Sequence, residues 1–373
     1  MVNNITKIWM LIGVLALIIL TIIVVPLMQK PKAETVKIGA VLPLTGVESR
    51  QGELIRNSIL MAQEEINAEG GINDKMLQIV LEDDKSEPRD AVTAYNALQN
   101  VHDTKIILTI GSPIAMSLAP LANTDDVVLF SIAAAPAYSS PDDYTYRVIP
   151  SAVKEGKDMA ELLVNKLNTT ELAVVYLNND YGLGTKEAFV KPFIDLGGEI
   201  IIEEAFDPSE TDFRTQLLKI QSKNPEVVYV ASWGKQAGML VRQAHEMGME
   251  NVQFFGGQAW HNPDFIEEGG KAVEGAIYTY PYFSNSTAFF SSYLEKYGEE
   301  STQISERMYD IVKLSAEIIE TCGIENNACL LSELQKTEFQ GSSSIIRFDN
   351  NGDVVEDFVL YIVKNGRFVP YQK

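Results

Sequence analysis

The sequence predicts an α/β protein built from two doubly wound, Rossmann-like lobes. Apolar strands are expected at residues 36–42 and 76–81, and the segment between them has helical periodicity, with Ile55, Ile59 and Ile66 on one face. Strand, helix and strand in this order require a parallel sheet, because parallel strands are joined through a crossover helix. The alternation continues in two series along 373 residues, more than one hydrophobic core normally supports.

Five strands are expected in each series, with amphipathic helices in most of the intervals. In the first series the strands are expected at 36–42, 76–81, 105–110, 127–131 and 144–149. In the second series they are expected at 172–176, 199–204, 226–230, 253–255 and 275–279. Pro150 and Ser151 indicate a linker between the series. After the second series, helices at 287–297 and 304–322 precede strands at 343–348, 354–363 and 367–371.

The composition favours a folded, acidic protein. Hydrophobic residues make up 46% of the chain, which is typical of normal cores and argues against disorder. Lysine and arginine number 30 against 51 aspartate and glutamate residues, a formal net charge of −21. Because phosphate binding needs a basic surface, this balance argues against nucleic acid as a partner.

Residues 8–28 form an apolar stretch near the amino terminus. This stretch holds 21 residues without a charge and is flanked by Lys7, Lys30 and Lys32. About 20 such residues span a bilayer, whereas the apolar core of a cleavable signal peptide usually has about 7–15. We therefore expect an uncleaved transmembrane signal anchor that attaches the protein to the membrane. The alternative is a cleaved signal peptide.

Two cysteines, Cys322 and Cys329, lie seven residues apart at the end of a predicted helix. In an oxidising compartment this spacing allows a small disulfide loop. A zinc pair is the alternative, although no histidine or further cysteine lies nearby to complete a metal site.

The sequence contains no arrangement of residues typical of catalysis. Its three histidines, His102, His245 and His261, lie in different segments, and none belongs to a pair with metal-ligand spacing. The chain has neither a nucleophile elbow nor a phosphate-binding loop with its lysine. We therefore expect a protein that is not an enzyme and that uses no metal or cofactor.

Polar and aromatic residues instead follow the carboxyl ends of several predicted strands, where open parallel sheets bind ligands. They are Ser112 and residues 131–135 in the first series, and residues 178–181, Ser232 with Trp233, and Gln258 in the second. These five loops meet if the two lobes face each other. Alternatives remain. Ser112 is equally suited to cap the helix that follows it. Trp233 could occupy a core position, although Ser232 and Gly234 beside it favour an exposed loop tip.

Several stretches together resemble the type I periplasmic binding proteins, in particular the receptors of branched-chain amino-acid (leucine, isoleucine and valine) ABC transporters. The clearest is Leu-Met-Ala-Gln-Glu-Glu-Ile-Asn-Ala-Glu-Gly-Gly-Ile-Asn-Asp-Lys at 60–75. Further similar stretches lie at 39–46, 127–135, 180–182 and 239–244. The resemblance covers nearly all of residues 36–358. It implies two lobes that are joined by three crossovers and close on a small ligand.

The resemblance also implies where the lobes divide, with crossovers near Ser151, Tyr280 and Ile345. The first lobe is then expected to comprise residues 36–151 and 281–344, and the second lobe residues 152–280 and 345–373. In this family the closed receptor delivers its ligand to an ABC permease complex, and the receptor is extracytoplasmic. The resemblance therefore implies a periplasmic or cell-surface binding domain.

Four expected ligand-binding residues follow from the resemblance. Ser112 falls where family members bind the ligand's carboxylate through a serine hydroxyl and amide. Ala133 falls where a backbone carbonyl accepts from the α-ammonium group. Tyr181 and Trp233 fall on the aromatic residues of the second lobe that cover the ligand.

Three positions depart from the amino-acid-binding pattern. The usual threonine near the ligand is Ala135, the usual aspartate of the first crossover is Ala152, and the glutamate that faces the ammonium is Gln258. A buried ammonium without acidic or carbonyl partners costs several kcal/mol. We therefore expect a neutral or anionic ligand, such as an amide or an aromatic carboxylate, that is hydrogen-bonded by Gln258.

The first functional hypothesis is an extracytoplasmic solute-binding receptor of an ABC importer for a small amino-acid-like, amide or carboxylate ligand. The alternative is a ligand-sensing ectodomain or an amide-sensing regulator of the same fold, which passes its signal to a partner protein. An enzyme ranks third, because the sequence contains no nucleophile–base pair.

Overall fold

The structure is a computed structural model that describes residues 34–141, 143–281 and 287–371. The expected membrane anchor at 8–28 lies outside these residues. Among the helices of the described ranges, none combines the length and the apolar character that a membrane span requires.

The first sheet is entirely parallel and has the strand order β2-β1-β3-β4-β5. Its strands are β1 (Thr35–Leu42), β2 (Met76–Asp83), β3 (Ile106–Ile110), β4 (Val128–Ile132) and β5 (Thr145–Arg147). The helices that connect them are α1 (Ser49–Ala68), α2 (Pro88–Ala97) and α3 (Ser112–Thr124). Apolar side chains of α2 and α3 cover one face of this sheet, and those of α1 cover the other.

The second sheet has seven strands in the order β14-β13-β10-β9-β8-β6-β7. Its parallel strands are β6 (Glu171–Leu177), β7 (Glu199–Phe206), β8 (Val227–Ala231), β9 (Gln253–Gly256) and β10 (Ile277–Pro281). Helices α4 (Ala152–Glu161) and α5 (Asp180–Asp195) pack on one face. Helices α6 (Arg214–Gln221), α7 (Gly234–Glu246) and α8 (Pro263–Gly269) pack on the other.

The chain passes between the two sheets three times. It leaves the first sheet after β5 and enters the second through α4. It returns after β10, where α9 (Thr287–Tyr297), α10 (Gln303–Cys322) and α11 (Asn327–Leu334) pack with α1 in the core of the first sheet. After the two-stranded ribbon β11 (Phe339–Gln340) and β12 (Ile345–Ile346), β13 (Phe358–Lys364) and β14 (Arg367–Pro370) join the second sheet antiparallel.

All ten parallel strands that the sequence predicts are present, with boundaries that shift by only a few residues. Helices α4, α8 and α11 were not expected. Helix α4 begins directly after Ser151, whose hydroxyl accepts a hydrogen bond from the Val153 amide and caps the helix. Its Gly156 lies so close to α5 that an added Cβ would come within 2.3 Å of the Ala188 carbonyl oxygen. Close helix packing therefore explains a glycine that weakens the helical pattern of this segment.

The tail differs more from the sequence prediction. The strand expected at 343–348 is only the two residues Ile345–Ile346, and the strand expected at 354–363 begins at Phe358. Much of the segment between these two strands instead lies against the first sheet, where Asp353 forms an isolated backbone β-bridge with Arg147. Near this passage the buried Arg307 side chain donates to Glu356. Tertiary contacts therefore override the strand pattern here.

Cys322 and Cys329 form a disulfide with a Cα–Cα distance of 5.5 Å. The bond joins the end of α10 to the first turn of α11. Among the described residues no cysteine is free, so neither thiol is left to bind zinc.

Candidate functional site

The strand orders of the two sheets place a cleft between their carboxyl ends. In each sheet the order reverses beside the first strand, between β1 and β3 and between β6 and β8, and such switch points are where doubly wound sheets bind ligands. Ser112 follows β3 and Trp233 follows β8, each at the start of the next helix. The empty volume between these ends, open mouth included, is about 1080 Å³.

Ser112 lines the cleft together with Gly111, Pro113 and Ile114, at the amino end of α3. The Ser112 Oγ atom accepts a hydrogen bond from the Ala135 amide at 3.1 Å, so its own proton remains to be donated. The first turn of a helix leaves amide groups without intrahelical acceptors, and Ser112 and Ile114 lie in that turn. These groups together suit a carboxylate.

The loop at Ala133–Ala135 is supported from behind by Arg147, whose side chain is 0% exposed. The Arg147 guanidinium donates to the Ala133 carbonyl at 2.5 Å and to the Ala135 carbonyl at 2.8 Å. Its Nε atom also donates to Asp353 at 2.8 Å. Ala134, between the two, lines the cleft, and its carbonyl accepts from the Ala152 amide. Each of the three carbonyl groups already has a donor.

The opposite wall of the cleft is aromatic. The Tyr181 and Trp233 rings are stacked, with 6.3 Å between their centroids and an interplanar angle of 26°. Both line the cleft, and the Tyr181 hydroxyl is buried without a hydrogen-bond partner. Burial is the main reason that the pKa of Tyr181 is well above its ordinary value. These rings suit an apolar or planar part of a ligand.

Gln258 lines the cleft in front of a buried carboxylate, Glu155. The Gln258 backbone amide donates to Glu155 Oε1 at 2.5 Å, and the Nε2 atom of the Gln258 side chain lies 3.4 Å from Glu155 Oε2. Thr279 Oγ1 donates to the same Glu155 Oε1 atom at 2.8 Å. The pKa of Glu155 is raised to about 7, mainly because of its burial. The hydrogen bonds from Thr279 and Gln258 act in the opposite direction and only partly offset this increase. Helix α4, which was not expected, carries this carboxylate.

Two carboxyl groups, Glu48 and Asp84, line the cleft on the side of the first sheet. Burial raises the pKa of both Glu48 and Asp84 to about 7, and Asp84 Oδ2 is buried without a hydrogen-bond partner. Lys235 lines the mouth from the other side and lowers the pKa of Glu48. A ligand portion that reaches this part of the lining therefore meets two carboxyl groups that titrate near pH 7 and the ammonium group of Lys235.

An ion pair spans the cleft outside this mouth. Arg50 of α1 lies 2.8 Å from Asp264 and 2.8 Å from Glu267 of α8. The Arg50 side chain is 48% exposed, so the pair contributes little in water. The contact requires the two sheets to face each other at their present separation.

The four groups Ser112, Tyr181, Trp233 and Gln258 line one cleft. Ala133 and Ala135 lie behind its surface, and Ala152 is buried at the start of α4. Ligand contact by any of these residues stays a prediction. Sequence reasoning missed Arg147 and Glu155. For Glu155 the sequence did contain a signal, because Ser151, four residues earlier, is a residue type that often caps the start of a helix.

The described residues contain no cluster of histidine, cysteine and carboxylate groups able to hold a metal ion. His261 lines the cleft, but burial lowers its pKa to about 3 and its Nδ1 atom lies 2.7 Å from the Tyr278 hydroxyl. The neutral His261 ring therefore packs among aromatic side chains, including the stacked Tyr280 ring. The arrangement provides binding groups of three kinds: a hydroxyl with helix amides, stacked rings and a side-chain amide.

A pH prediction follows from Glu155. Its pKa is about 7 in the folded protein and near 4.5 when exposed. Its protonated form is therefore favoured by folding, and the stabilisation is complete below about pH 4.5 and lost as the pH rises through about 7. Among its neighbours, Asp158 strengthens this shift. Glu155→Gln does not titrate, so the difference in free energy of unfolding between wild type and variant should change across this window.

Urea unfolding at pH 5 and pH 8 measures this difference. Glu48 and Asp84 titrate in the same range, but their contributions are common to both proteins and cancel. A wild-type-to-variant difference that is equal at the two pH values would contradict the assignment.

Known proteins share both the sequence and the shape of this chain. The sequence profile of the family described as periplasmic binding protein matches residues 35–367. The leucine-, isoleucine-, valine-, threonine-, and alanine-binding protein of Pseudomonas aeruginosa is 24% identical over 336 residues, which cover 88% of this chain and 90% of that protein.

Two solved structures are also similar. A leucine-binding protein of Thermotoga maritima has a TM-score of 0.82 and 27% identity, and the match covers 90% of this chain and 98% of that one. A branched-chain amino acid transporter substrate-binding protein of Streptococcus pneumoniae, in complex with isoleucine, has a TM-score of 0.81 and 25% identity. That match covers 91% of this chain and all of the other chain.

Proposed function

Because this chain belongs to the periplasmic binding protein family, we propose that it is the solute-binding receptor of an ABC importer. Members of this family are solute receptors rather than enzymes, and membership implies an extracytoplasmic location. The proposed ligand is a small amino-acid-like molecule, amide or carboxylate, captured between two lobes. In this proposal the N-terminal segment at 8–28 anchors the receptor to the membrane beside its permease.

One observation carries the proposal. Ser112 and the start of α3 offer carboxylate-binding groups at the end of the first sheet, directly across the cleft from the stacked Tyr181 and Trp233 rings. A ligand held by both walls contacts groups from both sheets, so it favours the closed arrangement over the open one. Binding energy is then converted into a change of shape that a permease can recognise.

The proposed lobes comprise residues 36–151 with 281–344 and residues 152–280 with 345–373. The three passages of the chain between the sheets support this division in outline, but Phe348 and Val354 still pack in the core of the first sheet, so the third connection follows Val354. The passages provide three connections about which two bodies can rotate.

Ligand-dependent closure is the expected result. Native mass spectrometry of the purified protein first identifies any retained small molecule, and the molecule is then removed. X-ray scattering with and without that molecule, or with isoleucine as a probe, should show a smaller radius of gyration for the bound protein. A probe that calorimetry shows to be bound, with an unchanged radius, would contradict the closure mechanism.

Arg50→Ala tests the ion pair across the cleft within the same experiment. The variant should weaken ligand binding by a factor of about 1.4 to 5, since an exposed pair contributes about 0.2–1 kcal/mol. Arg56→Ala is the matched control, because Arg56 lies on the same helix but pairs with Glu53 of that helix. An equal effect of both variants would mean that the Arg50 contact does not act through closure.

A further inference from the structure

Asp84 is a buried residue in the lining of the cleft whose carboxyl group is only half satisfied. It directly follows β2, is 0% exposed and lines the cleft. Its Oδ1 atom accepts from the Ser86 amide at 2.7 Å, whereas its Oδ2 atom is buried without a hydrogen-bond partner. Because a buried carboxylate oxygen without a donor is costly, a donor from a ligand would recover part of that cost.

The charges around Asp84 favour a cation as this donor. Asp83 and Asp90 are both acidic, and each raises the pKa of Asp84 because like charges repel. Lys235, a cation in the lining, acts on Glu48, whose pKa it lowers. A positively charged group beside Asp84 would relieve the repulsion among these carboxyl groups, which an apolar group would leave in place.

The position of Asp84 relative to Ser112 sets the size of such a ligand. Asp84 follows β2 and Ser112 follows β3, and β1 lies between these two strands in the sheet. Neighbouring strands are about 4.8 Å apart, so the two residues are separated by about 10 Å across the sheet. A hydrogen bond at each end takes up about 3 Å of this distance. A short aliphatic chain between a carboxylate and an ammonium group bridges the rest.

We propose that Asp84 is a specificity-determining residue of the cleft, and that it accepts a hydrogen bond from an ammonium group at the end of the ligand remote from the carboxylate at Ser112. The inference rests on the proposed receptor function and deepens it by naming a second polar group of the ligand. This ligand differs from the neutral or anionic one expected from the sequence, because that expectation considered only positions 135, 152 and 258.

The test compares carboxylates that differ only in a terminal amino group. 5-Aminopentanoate is paired with pentanoate, and L-ornithine with L-norvaline. The α-amino group is thus absent from the first pair and common to both members of the second. Any molecule retained during purification is identified by native mass spectrometry and removed beforehand. Calorimetry is performed at pH 8, where Asp84 is mostly ionised because its pKa is about 7.

Two variants accompany the wild type. Asp84→Asn keeps the size of the side chain and an oxygen atom that can accept from the Ser86 amide, but it removes the negative charge. Asp90→Asn is the matched control, because Asp90 is a nearby charge that pairs with Lys85 and lies outside the lining of the cleft. Circular dichroism and thermal unfolding confirm that each variant is folded.

We expect the terminal amino group to tighten binding to wild type at least about tenfold, the effect of one charge-assisted hydrogen bond. Asp84→Asn should bring the ratio of affinities within each pair close to one, whereas Asp90→Asn should change it far less. A purely structural role of Asp84 would weaken both members of a pair equally and leave the ratio unchanged.

A pH series gives a second readout. For wild type the ratio should fall by up to about tenfold between pH 8 and pH 6, because protonation of Asp84 removes the charge that attracts the ammonium group. The terminal ammonium group itself stays charged over this range. In Asp84→Asn the ratio should be independent of pH.

The possible failures are distinguishable. If pentanoate and L-norvaline bind as tightly as their partners, or if Asp84→Asn leaves the ratio intact, the receptor function stands and the role of Asp84 is wrong. A retained molecule without a cationic group remote from its carboxylate has the same meaning, whereas one with such a group supports the role if Asp84→Asn weakens its binding. If no probe binds and no molecule is retained, the receptor function itself fails, and the inference fails with it.

Discussion

Arg147→Met should lower the free energy of unfolding by about 3–5 kcal/mol, the usual cost of breaking a buried ion pair by removing one partner. Arg147 is fully buried and donates to two carbonyl groups, to Ser139 and to Asp353. Its loss leaves these acceptors without their donor and removes the support of the Ala133–Ala135 loop. Ligand binding should weaken as well, because the Ala135 amide orients the Ser112 hydroxyl.

Urea unfolding measures the effect, and Arg214→Met is the matched control. Arg214 is 69% exposed and pairs with Asp212 two residues away, so its replacement should change the free energy of unfolding far less than Arg147→Met does. Adding Asp353→Asn to Arg147→Met removes the unpaired charge and should recover part of the loss. Similar losses at Arg147 and Arg214 would show that the buried network contributes little.

Ser112→Ala should weaken the binding of a carboxylate ligand by about 10- to 100-fold, since hydrogen bonds to charged groups contribute about 1.5–3 kcal/mol. The Ser112 hydroxyl accepts from the Ala135 amide and keeps its own proton for the cleft. The helix amides remain in the variant, so residual binding is expected. Calorimetry with isoleucine, or with the molecule retained during purification, gives the affinity.

Two further variants make this prediction specific. Ser112→Thr keeps the hydroxyl group and should retain most of the affinity. Ser117→Ala alters the same helix, but the Ser117 hydroxyl donates to the Ile114 carbonyl within that helix, so binding should be unchanged. Equal affinities of wild type and Ser112→Ala would exclude the hydroxyl as a carboxylate donor.

Much of the candidate site is predictable because its residues follow strands whose positions are clear from local patterns. Ser112 and Trp233 each follow an apolar run, and the carboxyl ends of parallel strands meet at one edge of a sheet. The exact depth of each side chain is not predictable in this way. Ala134 lines the cleft, whereas its neighbours Ala133 and Ala135 are buried outside that lining, although all three are small residues in one loop.

Glu155 and Arg147 show what local patterns omit. Both are charged residues that sequence patterns usually place at the surface, yet both are fully buried. Their burial depends on partners far along the chain, Gln258 and Thr279 for one and Asp353 for the other. Contacts over roughly a hundred residues or more arise only when the sheets and crossovers assemble.

The sequence by itself determined the ten parallel strands and the family, since hydrophobic periodicity and short stretches such as 60–75 act locally. Only the tertiary structure decided how the cleft is charged. A glutamine at position 258 suggests a neutral site when it is considered alone. Folding brings the Glu155 carboxylate to within 2.5 Å of its backbone amide, because helix α4 packs beneath that loop. The chemistry of the site thus depends on a buried neighbour, since hydrogen bonding and dielectric environment are properties of the assembled fold.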